Sequence, residues 1–152
     1  MNSEHRSVVI IGAGPSGAIA AALLKRKGHD VLIIERQRFP RFSIGESLLS
    51  HCLDFIEEAG MLEAVQAAGF QTKHGAAFGW GERYTEFDFR DKFTAGHSST
   101  YQVQRADFDK LLADQAESQG VEIRYEEEIT AASRVPTRLT AAPPIRSRMR
   151  MA

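Results

Sequence analysis

The chain has 152 residues, enough for one domain with its own core. Its 43% hydrophobic and 26% charged content is ordinary for a globular protein, and a formal net charge of -1 gives no reason to expect nucleic acid or an anionic membrane as partner. The single cysteine, Cys52, has no partner for an internal disulfide, which fits a reducing, cytoplasmic setting.

The longest apolar stretch runs from Val8 to Leu24. Gly12, Gly14, Pro15 and Gly17 interrupt it early, and Glu4 offsets Arg6 ahead of it, so neither a signal peptide nor a membrane span is expected. Arg6 to Ile11 instead predicts a strand buried on both faces, carried by VVII. Ser16 to Lys27, rich in alanine and leucine, predicts a helix that stops at Gly28. Asp30 to Glu35 (DVLIIE) predicts a second buried strand, parallel to the first across a right-handed crossover.

Glu46 to Ala59 predicts a second helix with Leu49, Cys52, Leu53 and Ile56 on one face, ended by Gly60. Met61 to Ala68 predicts a short third helix. Alternation of Ala76, Phe78 and Trp80, and of Thr85, Phe87 and Phe89, predicts a β-hairpin about Gly81. A polar loop follows from Arg90 to Ser99. Asp107 to Gln119 predicts a helix with Phe108, Leu111, Leu112, Gln115 and Ala116 on one face, closed by Gly120, and VEIRY from Val121 a further strand.

At Arg134 the composition changes. All 20 acidic residues lie before it, and from it onward come five arginines, Arg134 included, and three of the five prolines, Pro136, Pro143 and Pro144. No apolar period runs through this stretch, so a disordered basic tail is expected over 134–152, following a folded unit over 1–133. A nucleic-acid-binding arm is the less favoured reading of the same charges.

The motif GAGPSG, Gly12 to Gly17, stands between the first strand and helix, and Glu35 ends the second strand. That order is the context a dinucleotide-binding glycine loop needs. Gly12 allows the tight turn, Gly14 a close backbone approach to a pyrophosphate, and Gly17 close helix–sheet packing. The helix N-terminus offers free N–H groups to phosphates. Glu35 suits a ribose diol and would repel a 2′-phosphate, which disfavours NADP.

The loop does not separate FAD from NAD. The segments RFPRFSIGESLLSHCLDFIEEAGM and VQRADFDKLLADQAESQGVEI do, because they resemble the flavoprotein monooxygenase superfamily, and more closely the flavin-dependent halogenases. The resemblance covers roughly residues 6 to 130. It implies an α/β fold, a Rossmann-type, glutathione-reductase-like FAD-binding domain, with FAD as cofactor. It carries Gly12, Gly14, Ser16, Gly17, Glu35 and Arg36 to the ADP-binding positions. Arg41 and Glu46 fall in the segment passing near the flavin, and Arg105 opens the later helix of the Arg-x-x-Phe-Asp type. Ser50 departs from the proline common in relatives.

The resemblance also implies a catalytic role for Lys73. In TKHGAAFGWG it stands where halogenases place a lysine that polarises or captures hypohalous acid. The implied partners are a small electron-rich aromatic substrate and a separate flavin reductase. A monooxygenase or a prenyl-reductase-like enzyme on the same domain, and a non-catalytic nucleotide-binding remnant, are the alternatives. The family's later Gly-Asp segment and its WxWxIP motif have no match, since Trp80 is the only tryptophan. The sequence therefore reads as the N-terminal part of a longer enzyme, truncated or frameshifted near Arg134, and is expected to complete no reaction alone.

Overall fold

The computed structural model describes residues 4–133, so the tail reading for 134–152 lies outside the described residues. Strand β1 (Val8–Ile11), helix α1 (Pro15–Arg26) and strand β2 (Val31–Glu35) form the expected strand–helix–strand unit. β1 and β2 are parallel, with Val8 opposite Val31 and Ile11 opposite Ile34. A third parallel strand, β7 (Glu122–Tyr125), pairs with the other edge of β2 and sets Glu35 opposite Tyr125.

Being central, β2 is the strand that is truly enclosed: Val31, Leu32, Ile33 and Glu35 are all buried. β1 corrects the expectation of burial on both faces. Val8 and Ile10 pack against the core, whereas Val9 and Ile11 are 49% and 66% exposed. Side chains alternate between the faces of a strand, and no described element covers the second face at this edge.

Three alanines of α1, Ala18, Ala21 and Ala22, are fully buried, and their small side chains let the helix axis lie close to the sheet. Helix α4 (Arg105–Ser118) packs beside α1 and contributes Phe108, Leu112, Ala113 and Ala116. Burying one side chain of the size of Phe108 contributes about 1.5–3 kcal/mol. Helix α2 (His51–Glu58) adds Leu53 and Ile56, and helix α3 (Leu62–Ala67) adds Val65. Phe70 meets Phe108 edge-on, with ring centroids 5.8 Å apart.

The expected hairpin is present as β4 (Gly75–Trp80) and β5 (Arg83–Asp88), in register from Gly75 opposite Asp88 to Trp80 opposite Arg83. Two short strands were not expected: β3 (Gln71–Lys73) and β6 (Thr100–Gln102) pair antiparallel. On its other edge β6 bridges to Ser47, opposite Gln102.

That bridge explains why the helix expected from Glu46 begins only at His51. The Glu46 carbonyl accepts the Val103 N–H at 2.8 Å, and the Leu48 N–H donates to the Tyr101 carbonyl at 3.1 Å. Sheet pairing has claimed the backbone groups a helix would use, and Leu49 is exposed instead of facing the core. Ser50 sits at the N-cap of α2, ahead of its first turn.

The ends of β1 and β7 are tied by surface charges. Arg124 and Arg6 both bond Glu4, holding its carboxyl down at about 2, and both also reach Glu122. No described helix is long and apolar enough to cross a membrane.

Candidate dinucleotide site

The site is built at the C-terminal ends of β1 and β2. Gly12 leaves β1 with φ +98°, a left-handed conformation that favours glycine, and its N–H donates to the Ile34 carbonyl at 2.8 Å. Gly17 is required by contact. A Cβ built there would lie 2.0 Å from the Gly12 carbonyl oxygen, so the loop closes directly onto the first turn of α1. Gly14 is the N-cap and Pro15 the first helical residue. No side chain caps this end and its first turn holds no acid, leaving the N-terminal N–H groups available to an anion. Ser16 is exposed in that first turn.

Glu35 is 4% exposed at the end of β2. One carboxylate oxygen accepts the Ala13 N–H at 2.9 Å and the other the Gln37 N–H at 3.0 Å. The acid thus fastens the glycine loop to β2. A carboxylate has about four acceptor sites, so capacity remains for a diol. Glu35, Gly12, Arg36 and Arg41 line one cleft of about 480 Å³, which Glu127 and Ile129 close on the far side.

Arg41 spans the back of this cleft. Its Nε lies 3.9 Å from Glu35 and its Nη1 3.5 Å from Asp109, while its guanidinium sits 4.9 Å from the centroid of the Phe39 ring. Its Nε is buried without a hydrogen-bond acceptor. Its Nη2 is 3.6 Å from the point a Gly14 Cβ would occupy. A buried cationic donor lacking an acceptor, beside an uncapped helix N-terminus, is what a diphosphate group requires.

Arg105 behaves differently from a plain surface salt bridge. Its Nε and Nη2 grip both oxygens of Asp109, at 2.6 and 2.9 Å, and its Nη1 donates to the Ile44 carbonyl at 2.5 Å. The Asp109 carboxylate raises the Arg105 pKa above its ordinary value. Asp109 is fully buried, so Arg105 and Arg41 together neutralise it. The pair holds the segment containing Gly45 and Glu46 against α4. Glu46 itself is exposed, and its backbone carbonyl is engaged with Val103.

Lys73 precedes the hairpin as the last residue of β3, paired with Thr100. Its ammonium donates to the Ser47 hydroxyl and lies 5.5 Å from the centroid of the Phe89 ring. The structure therefore brings Gly12, Glu35, Arg36 and Arg41 together at one cleft, with Gly14 beside Arg41, and connects Glu46 and Lys73 through the short sheet. Sequence reasoning missed Asp109 and Ser47. Asp109 was in view as the closing residue of the Arg-x-x-Phe-Asp pattern, and Ser47 as the serine of Gly-Glu-Ser.

A parallel sheet with a glycine loop, an uncapped helix N-terminus and a buried strand-end acid defines a Rossmann-type dinucleotide-binding domain. The chain belongs to the FAD-binding domain family, which matches residues 5–144, and its cofactor is FAD. It is 39% identical over 116 residues to a tryptophan 2-halogenase of Chondromyces crocatus, covering 76% of this chain and 22% of that protein. A flavin-dependent halogenase of Armillaria mellea is 37% identical over 140 residues, covering 87% and 26%.

Among solved structures, a flavoprotein/dehydrogenase of Cytophaga hutchinsonii superposes with TM-score 0.77 at 51% identity, over 81% of this chain and 30% of that one. The myxobacterial chondrochloren halogenase does so with TM-score 0.74 at 35% identity, over 82% and 29%. The chain spans less than a third of the length of each of these proteins.

Proposed function

We propose that this chain is the FAD-holding portion of a flavin-dependent halogenase that modifies an electron-rich aromatic small molecule, in a cytoplasm where a separate reductase supplies reduced flavin. The observation that carries the reading is Lys73, a half-buried lysine tied to the Gly-Glu-Ser segment. FAD supplies the oxidising chemistry when bound. The chain's own residues bind and orient it. The N–H groups at the start of α1 and the Arg41 guanidinium would hold the diphosphate. Glu35 would accept from the adenosine ribose, with Arg36 beside it. Arg105 and Asp109 keep the Glu46 segment in place, and Ser16 stands at the mouth of the helix.

Lys73 would present a cationic N–H donor to oxidised halide, polarising it toward the aromatic carbon. The test is a graft of residues 4–133 into a full-length halogenase relative, with and without Lys73→Ala. Flavin oxidation should persist in the variant while halogenated product, read by mass spectrometry, disappears. Halogenation that survives without Lys73 rejects the reading. A second reading, an oxidoreductase with no halide chemistry, draws on the 51% identity to the Cytophaga hutchinsonii flavoprotein/dehydrogenase. The same graft decides for it if substrate is oxidised and no halide is incorporated.

The ribose assignment has its own test. Glu35→Ala should weaken FAD binding by about 1.5–3 kcal/mol, the range for hydrogen bonds to a charged group. Fluorescence titration giving an unchanged Kd would remove Glu35 from the cofactor site.

A further inference from the structure

We infer that Ser47 is the positioning residue of Lys73, fixing its ammonium on the segment that runs past the flavin site; the functional meaning of that contact rests on the halogenase reading above. Lys73 ends β3 opposite Thr100, and Ser47 lies across the other edge of β6, opposite Gln102. The lysine and the serine thus flank the same short strand, two positions apart along it. From there the Lys73 ammonium reaches over β6 to the Ser47 hydroxyl, which accepts its hydrogen bond.

Ser47 has a fixed backbone. Its neighbours on both sides are bonded to β6 and its extension, Glu46 to Val103 and Leu48 to Tyr101. Farther back, Arg105 holds Ile44. A lysine side chain has four rotatable bonds and loses rotamer entropy when fixed. One hydroxyl acceptor and the face of Phe89, within the range of a cation–π contact, offset that loss.

The choice of acceptor matters chemically. A carboxylate at the same place would neutralise the ammonium. A serine hydroxyl orients it, yet leaves its charge and its other N–H groups to a ligand. Because Ser47 belongs to the Gly-Glu-Ser segment, the lysine is set by the same strip of chain that the family places along the flavin.

The test uses the full chain and needs neither flavin nor halide, so it stands apart from the graft experiment. Each lysine is trace-labelled with an acetylating reagent and quantified by peptide mass spectrometry. Lys27, exposed at the end of α1, serves as reference. Ser47→Ala should raise Lys73 labelling relative to Lys27 roughly two- to tenfold, the population change that one lost hydrogen bond implies. Ser47→Thr, which keeps the hydroxyl, should return the ratio to near the parent value, a rescue that a purely structural serine would not give.

An unchanged ratio in Ser47→Ala with an intact circular dichroism spectrum overturns the assignment, as does a threonine variant that behaves like alanine. Should the alanine variant fail to fold, the parent chain decides: Lys73 labelled as fast as Lys27 refutes the contact, and protected labelling retained by the threonine variant upholds it. A graft that halogenates without Lys73 ends the reaction reading alone, while the labelling ratios still report whether Ser47 holds the lysine.

Discussion

Gly17→Ala is expected to abolish FAD binding and to lower stability by at least about 1–3 kcal/mol, the usual cost of overpacking. The added methyl would sit 2.0 Å from the Gly12 carbonyl oxygen and 3.2 Å from its carbon. Both are backbone atoms, so no side chain can rotate out of the way. Either the loop from Gly12 to Gly14 lifts off the helix or α1 moves away from β1. Lifting the loop misaligns the N–H groups at the start of α1, proposed to hold the diphosphate, and breaks the Ala13 bond to Glu35. Equilibrium dialysis against FAD, together with urea unfolding, measures both effects. Near-parental affinity in the alanine variant would show that the loop relaxes at little cost and that its closeness to α1 is not needed for binding.

Asp109→Ala should have the larger effect on stability, a loss of about 3–5 kcal/mol, as for other broken buried ion pairs. Asp109 is 0% exposed and accepts from Arg105 through both oxygens, with Arg41 3.5 Å away. Its removal strands two arginines whose side chains are only 16% and 17% exposed. Neither can fully recover hydration without pulling the segment from Arg41 to Gly45 away from α4. For a chain of this size the melting temperature should fall by roughly ten degrees. Asp109→Asn keeps the shape and isolates the charge, and should fall between parent and alanine. A loss under about 1 kcal/mol for the alanine variant would mean that water reaches these arginines and that the cluster acts as a surface pair.

What could be read from the sequence was the part in which local signals and tertiary structure agree. The βαβ unit declared itself because VVII, GAGPSG, an alanine-rich helix and DVLIIE each specify their own conformation in succession. The hairpin did so through strict alternation. Strands β3 and β6 could not be found this way, since three residues carry no measurable period, and each exists because the other is present. The start of α2 failed for the opposite reason. Its helical pattern extends back to Glu46, yet β6 recruits that backbone from more than fifty residues away.

Burial of single polar groups was equally hidden. Asp109 reads as an ordinary charged position on an amphipathic helix, and only the placement of Arg41 and Arg105 turns it into a core residue. The exposed face of β1 ran against its composition: Val9 and Ile11 are as apolar as Val8 and Ile10, but nothing described covers them. At the candidate site, the sequence names residue types and leaves their connections hidden. The position of Glu35 at the end of the second strand suggests a ribose acceptor, while its hold on the Ala13 N–H is a task that no spacing rule contains.

Arg41 lies between a buried acid at the end of β2 and a buried acid on α4, lines the cleft, and keeps a buried Nε without an acceptor. The wall proposed to receive the cofactor and the joint that binds sheet to helix are therefore one object. Thermodynamic linkage follows. An anion that completes the coordination of Arg41 adds to folding free energy by RT ln(1 + [L]/Kd), and anything that loosens the joint weakens affinity by the same coupling. For such a chain, affinity and stability are not separate traits. Variants selected for one will drift in the other, and a substitution deep on α4 can present itself in a titration as a cofactor-binding defect without ever touching the ligand.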